Sequence, residues 1–131
     1  MIDCENEVYT RVATALRSQF SKIDISGDYT LVPAAFPHVS LWESDNSTDA
    51  RRTSDTKEMD SVTFTVEVFS NKVPGKKTEA KQIMNAIDSA MFSMNAERLS
   101  KLPVPNRENT NIFRYVARYR VLTDGTFFYR R

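Results

Sequence analysis

The chain has 131 residues, of which 40% are hydrophobic and 27% are charged, and its 18 basic and 17 acidic residues leave a formal net charge of +1. This size and composition predict one soluble globular domain, and the balanced charge excludes a strong overall field that would draw the molecule onto DNA or an anionic membrane. Cys4 is the only cysteine, which excludes an intramolecular disulfide and indicates a free thiol in a reducing compartment.

The N-terminal segment predicts an amphipathic helix from Glu5 to Phe20, with Asp3 as its cap. Apolar residues recur there at spacings of three and four: Val8, Val12, Ala15, Leu16 and Phe20. The acidic start lacks the basic and apolar regions of a signal peptide, and no apolar run approaches 18 residues. We therefore expect neither export by a visible signal nor a membrane partner.

The run from His38 to Glu43 predicts a strand, with Val39 and Leu41 on one side and Trp42 on the other. His38 is the only histidine, and no cysteine stands near it in the sequence. We expect an ordinary structural or surface histidine, since metal ligation or nucleophile activation would need partners from distant segments.

The stretch from Ser44 to Asp60 is almost entirely polar or charged and predicts a long, flexible, exposed loop. A loop of this length inside a small domain is uncommon and is usually functional or disordered. Its carboxylates lack the glycine and the dense alternation of a calcium loop, so a solvated run of charges is expected.

Val62 to Ser70 alternate between apolar and polar residues, which predicts the best-defined strand of the chain. A turn follows, and Thr78 is then placed to cap a second helix that reaches Met94. Three methionines lie on the apolar side of that helix. Their regular spacing favours domain core over a soft partner-binding groove, which is the alternative.

The last long strand is predicted from Asn111 to Thr123, and it alternates arginine with apolar or aromatic residues. Arg114, Arg118 and Arg120 fall on one side of it. Because alternate strand residues stand about 7 Å apart, these cations repel one another and favour acidic neighbours. Glu67 is one candidate if the two strands are adjacent, and a second copy of the chain is another source.

Three roles remain open for this arginine face: an interface with another protein, a solvated or internally paired surface, and direct contact with nucleic acid. Tyr115 and Tyr119 alternate with the arginines and so lie on the opposite side of the strand. That arrangement counts against stacking of single-stranded bases, which needs aromatic and basic side chains on one face.

The predicted elements indicate an α+β fold in one domain spanning residues 1–131. We expect a single mixed or antiparallel sheet of about four strands, with two helices packed on one face and the other face available. The second helix would cross between the strand at Val62–Ser70 and the last strand. The sequence has no phosphate loop, nucleophile elbow or metal-ligand spacing, so neither enzyme activity, a cofactor nor a bound metal is expected.

Several segments together resemble the tail terminator, or tail completion, proteins of long-tailed bacteriophages. They are "FPHVSLWES" from Phe36, "VTFTVEVFSNKVPGKKTEAKQIMNAIDSAM" from Val62 and "NIFRYVARYRVLTDG" from Asn111. The resemblance covers about Glu5 to Gly125. It consists of packing patterns and turn chemistry and contains no catalytic signature.

The resemblance implies a virion protein, assembled in the host bacterial cytoplasm, that forms a hexameric ring on the tail tube, ends tube polymerisation and presents the head-joining surface. Its implied partners are further copies of itself, the tail tube protein and a head-tail connector or stopper protein, with DNA passing through the ring. The long loop would face the ring lumen or a tail neighbour. The candidate interface or lumen residues are Arg51, Arg52, Lys57, Glu58, Glu67, Arg114, Arg118 and Arg120.

Two alternative functions stand beside this one. The first is another neck or minor tail component, such as a head-tail stopper, which also acts by surface complementarity on a small fold. The second is a nucleic-acid-binding module that would use Arg107 together with the three arginines of the last strand. Such a module predicts DNA binding that weakens steeply as salt rises.

Overall fold

The computed structural model describes residues 2–29, 33–48, 59–105 and 111–129. The elements in chain order are α1 (Glu5–Gln19), β1 (Asp24–Ser26), β2 (His38–Thr48), β3 (Asp60–Ser70), α2 (Lys76–Ser93), β4 (Glu97–Pro103), β5 (Phe113–Thr123) and β6 (Phe128–Tyr129). This confirms the predicted α+β class with two helices and one mixed sheet. The candidate residues at positions 51, 52, 57, 58 and 107 lie outside the described residues.

The described strands form one sheet in the order β1-β2-β3-β5-β4, with β6 beside β5. β1 runs parallel to β2, and every other described pair is antiparallel. β3 and β4 both run antiparallel to β5 and are therefore parallel to each other. The connection between them, which contains α2, crosses over β5, the strand that lies between them in the sheet. The predicted crossover from β3 to the last long strand was therefore wrong, because β5 is the antiparallel neighbour of β3.

Both helices pack against the same face of the sheet, and their apolar stripes form the core with that face. Met84, Met91 and Met94 are at most 1% exposed, which confirms that this part of α2 is core. The core also takes Val8, Val12 and Leu16 from α1, Val62, Phe64, Val66 and Val68 from β3, and Tyr115, Ala117, Tyr119 and Val121 from β5. None of the described helices is long and apolar enough to cross a membrane.

β2 continues for five residues beyond its predicted end at Glu43. Asn46 pairs with Val62 and Thr48 with Asp60, after a shift of register next to Glu43. The predicted loop from Ser44 to Asp60 was therefore wrong at both ends, and its middle, residues 49–58, lies outside the described residues. The polar sequence gave no sign of this pairing, because the hydrogen bonds between paired strands are formed by the backbone and do not require apolar side chains.

The sheet has six strands where about four were predicted, and the three that the sequence did not locate, β1, β4 and β6, are short or exposed. β4 is mostly exposed and therefore carries no apolar alternation, which is why its residues Leu102 and Pro103 were predicted as a connection. The N-cap residues of both helices also differ from the predicted ones. The N-cap residues are Cys4 and Gly75 instead of Asp3 and Thr78, although Asp3 Oδ1 still accepts a hydrogen bond from the Glu5 amide at 3.1 Å.

Candidate interaction surface

The sheet face opposite the helices, which we call the open face, carries the arginines of β5. Tyr115, Ala117 and Tyr119 point into the core on the helix side. Because successive strand residues point to opposite faces, Arg114, Arg118 and Arg120 all lie on the open face, as predicted. The structure then gives these three cations three different environments.

Arg114 forms an ion pair with Glu67 of the neighbouring strand β3. Its Nε lies 3.0 Å from Glu67 Oε2 and its Nη2 lies 2.7 Å from Oε1, so the carboxylate is bound through both oxygens. The Glu67 side chain is 4% exposed and that of Arg114 is 24% exposed. Hydrogen bonding to Glu67 raises the pKa of Arg114. The predicted pairing of these strands through Glu67 is confirmed, and it leaves little of that acid on the surface.

Arg120 is paired from the other side of β5. Its Nη2 lies 3.2 and 3.3 Å from the two carboxylate oxygens of Glu97 on β4. The sequence analysis did not find this acid because it did not find β4. The only available signal was the charge of Glu97 itself, which does not reveal a strand.

Arg118 is the exposed arginine of the row. No ion pair or hydrogen bond joins its side chain to another residue in the described part of the chain. Thr65 of β3 lies directly opposite Arg118, and Trp42 of β2, one strand further on, lies directly opposite Thr65. The Tyr29 ring meets the Trp42 ring edge-on, with centroids 5.7 Å apart. The open face thus carries Arg118, which is unpaired among the described residues, together with two aromatic rings.

Two aromatic residues lie on the same side of the sheet as Arg118. Tyr115 and Tyr119 do lie on the opposite side from Arg118, as predicted, but Trp42 and Tyr29 share its side. The position of Trp42 opposite Leu41 was evident from the alternation of β2. Tyr29 lies between strands, where side-chain direction has no period to read, so no sequence signal placed it here.

The only histidine and the only cysteine of the sequence are both buried. His38 is 4% exposed, with Nδ1 lying 2.8 Å from Asp24 Oδ2 and Nε2 lying 3.0 Å from Ser40 Oγ. This confirms the predicted structural histidine. Cys4 is buried, and burial together with nearby carboxylates raises the pKa of its thiol to about 12. A thiol with that pKa is a poor nucleophile at neutral pH.

A cleft of about 310 Å³ lies where the end of α2 meets β4. Its polar side chains bind one another: Asp88 Oδ1 accepts hydrogen bonds from Tyr119 Oη at 2.9 Å and from Arg98 Nη1 at 3.1 Å. Burial and the bond to Asp88 raise the pKa of Tyr119. Within the described residues, no group of three histidine, cysteine or acidic side chains is arranged to hold a metal ion.

A family model described as tail completion protein gp17 matches residues 7–124. The chain belongs to this family. The match agrees with the extent of the resemblance seen in the sequence, and it identifies a structural tail protein of the virion. No curated protein sequence matches the chain significantly.

Two solved structures share the fold of this tail completion family member at 15% sequence identity. One is a chain from the virion of a native gene transfer agent particle, with a TM-score of 0.60, covering 88% of this chain and 90% of the other. The second is the sheath/tube terminator, in the extended state, of an extracellular contractile injection system termed PVC. It has a TM-score of 0.50 and covers 94% of this chain but 58% of the other. At this identity the likeness shows the fold alone.

Proposed function

We propose that the protein caps the tail tube as a homo-hexameric ring, ends tube polymerisation and presents the surface that joins the head. The observation that carries this proposal is the match to the tail completion family over residues 7–124. The partners are further copies of the chain, the tail tube protein and a head-tail connector or stopper protein. Assembly takes place in the host bacterial cytoplasm before the tail joins the head.

The open face supplies the contact with a neighbouring protein, and Arg118 is its central charged group. Glu67 and Glu97 already neutralise the other two arginines, so a partner meets one exposed cation, Arg118, on the same side of the sheet as two aromatic rings. Arginine and aromatic side chains are enriched at the centres of protein interfaces, where an arginine binds carboxylates through two parallel hydrogen bonds. The complementary group on the partner is therefore an acidic side chain.

Capping is tested by adding the purified protein to tail tube protein that is polymerising and measuring tube lengths by electron microscopy. The wild type should give short tubes of narrow length distribution. Arg118→Glu should leave the monomer folded and abolish capping, because it places a carboxylate opposite the partner's acid. Lys81→Glu is the matched control, since Lys81 is exposed on the helix side of the sheet. Uncapped growth in the presence of wild type would contradict the proposed function.

A head-tail stopper would behave differently in the same experiment. A stopper binds completed tails and leaves tube length unchanged, whereas a terminator limits it. Tubes that bind the protein at one end without any change of length would move the assignment to that alternative.

DNA contact is a second candidate role for the open face, because Trp42 and Tyr29 lie on the same side of the sheet as Arg118. DNA passing through a ring needs no base recognition, since charge alone binds phosphates. A nucleic-acid-binding module, by contrast, would bind a DNA probe as an isolated protein and lose it steeply with salt. Absence of probe binding at 50 mM salt would exclude that module and leave capping unaffected.

A further inference from the structure

Most of the exposed large hydrophobic residues in the described part of the chain lie along one edge of the sheet. Four of the six belong to the end of α2, to β4 or to the turn before β6, and we call them the β4 flank: Phe92, Leu99, Leu102 and Phe127. β4 is the last strand in the sheet order. β6 lies on the same side of β5 as β4, because β3 occupies the other side of Leu122 and Thr123.

Asn95 connects the segments that carry the two exposed phenylalanines. Its amide donates to the carbonyl oxygen of Phe92 at 2.9 Å, and its side-chain Nδ2 donates to the carbonyl oxygen of Phe128 at 2.9 Å. Phe92 also lines the cleft of about 310 Å³ together with Glu97 and Arg98 of β4. The end of α2, the start of β4 and β6 are thus held together, so the exposed rings belong to one surface.

The turn that carries Phe127 is ordered by its own hydrogen bonds. Asp124 Oδ1 accepts from the amides of Thr126 and Phe127, both at 2.9 Å. Phe127 is nevertheless 61% exposed, and Phe92 is 75% exposed. At about 200 Å² for each phenylalanine, the two leave roughly 270 Å² uncovered, about a third of what one partner contributes to a standard interface. Aromatic side chains held by ordered segments are typical anchors of protein interfaces.

Two ion pairs neutralise charges of β4 within the chain. Glu97 pairs with Arg120 at 3.2 Å, and Arg98 pairs with Asp88 at 3.1 Å. Apolar side chains therefore project from an edge on which these charges are already paired. This is the composition of a contact between subunits that remain assembled, which is more apolar than a contact between proteins that associate transiently.

β4 is built against pairing with a further strand. Its register shifts between Arg98 and Ser100, which marks a bulge, and Pro103 has no amide hydrogen to donate to a new strand. Bulges, prolines and lysines such as Lys101 are the devices by which edge strands avoid open-ended association. A neighbour on this flank is therefore bound through side chains and not by extension of the sheet.

The opposite edge of the sheet presents a second uncharged surface. β1 is the first strand of the order, and the Asp24 amide donates to the carbonyl oxygen of Pro37 at 3.0 Å, which places the connection before β2 beside β1. Residues 33–37 of this connection are Pro-Ala-Ala-Phe-Pro, and we call them the β1 flank. Ala34 and Ala35 are exposed. Their short side chains leave space for larger side chains of another molecule.

We propose that the β4 flank of one subunit packs against the β1 flank of the next, with Phe92 and Phe127 as its anchors. The inference rests on the proposed ring and specifies which surfaces close it. The contact joins two different surfaces of the same chain, so it is heterologous and generates a ring when the rotation closes. Bulky apolar side chains on one edge meet small ones on the other, and the open face with Arg118 stays available to the tail tube.

The test is photo-crosslinking of the full-length protein with benzoylphenylalanine in place of Phe92. The protein is irradiated in solution and on purified tail tubes, and the crosslinked peptides are identified by mass spectrometry. We expect a product of twice the subunit mass, in which position 92 is joined to the peptide that contains residues 33–37 of a second copy. Crosslinks to the tube protein, or to another part of a second copy, would refute the contact.

A pair of serine variants measures what the anchors contribute. Phe92→Ser with Phe127→Ser should associate at least about tenfold more weakly than the wild type, measured as native mass in solution and as protein bound at each tube end. Val73→Ser is the matched control, because Val73 is 85% exposed and lies outside both flanks. It should associate as the wild type does. Thermal unfolding of each variant checks that the fold is retained.

The outcomes separate this inference from the proposed function. If the double variant associates and caps tubes as well as the wild type does, the flank contact is refuted and the capping function stands. Equal losses in the double variant and in Val73→Ser also refute it, since the effect would then not be specific to the β4 flank. If the wild type crosslinks at the β1 flank in solution but does not limit tube length, the contact stands and the proposed function fails.

Discussion

Arg114 and Glu67 lie on adjacent strands of the open face, and two hydrogen bonds of 3.0 and 2.7 Å join the guanidinium to both oxygens of the carboxylate. The pair is diagonal, because Arg114 is directly opposite Phe69 and not Glu67. The guanidinium also stands 6.0 Å from the centroid of the Phe69 ring. This arrangement fixes one arginine of the row and leaves Arg118 as the exposed one.

Replacing Glu67 with Gln should destabilise the protein, because it removes the compensating charge of Arg114 inside a nearly buried pair. We expect the free energy of unfolding to fall by about 2 to 3 kcal/mol, below the full cost of a completely buried pair because Arg114 is 24% exposed. Urea unfolding at pH 7 measures the change. Glu7→Gln is the control: the Glu7–Arg11 pair is 3.6 Å long and exposed on α1, so its loss should cost less than about 0.5 kcal/mol. Equal effects of the two changes would contradict the structural role of the buried pair.

Arg118→Ala should affect tube capping and not the stability of the fold. Its side chain has no hydrogen-bond or ion-pair partner among the described residues, so the free energy of unfolding should change by no more than about 0.5 kcal/mol. Tube capping, however, should weaken. A thermal melt and the tube-length measurement on the same preparation test both parts, and an Arg118→Ala protein that caps tubes normally would show that this arginine is not part of the tail contact.

The thiol of Cys4 should be protected in the folded state. With a pKa of about 12, it is ionised in about one molecule in 10,000 at pH 8, whereas an ordinary cysteine is about one quarter ionised. Alkylation by iodoacetamide should be at least about a thousandfold slower in the native protein than in 6 M guanidinium chloride, a difference to which burial also contributes. As Cys4 is the only cysteine, the incorporated label reports this site alone. Comparable native and denatured rates would contradict its burial.

Stability should fall as pH rises above the ordinary pKa of Glu43, near 4.5. Burial and neighbouring carboxylates raise its pKa in the folded state, so the folded protein holds a proton that the unfolded chain has already released. Between the ordinary pKa and the raised one, increasing pH therefore favours unfolding through this residue. Glu43→Gln should stabilise the protein at pH 7 and reduce that slope. Urea unfolding from pH 4.5 to 7 measures both, and an unchanged slope in the variant would assign the effect to another group.

Local periodicity was sufficient to predict the elements that bury an apolar face. Val62 to Val68 alternate because β3 packs one face under the helices, and the spacing of the methionines of α2 follows the turn of a helix. The same reasoning placed the three arginines of β5 together and named Glu67 as a partner. It missed β4 and the outer half of β2, because an exposed strand is held by backbone pairing and carries no side-chain period.

By itself, the sequence determined the α+β class, the core faces of the long elements, the absence of a recognisable catalytic motif and the resemblance to tail completion proteins. These depend on local patterns of polarity, which a chain carries before it folds. The tertiary structure alone decided which arginine of the row is exposed and which side of the sheet Trp42 and Tyr29 share with it. Those properties depend on strand order and register, which bring together residues distant in the chain.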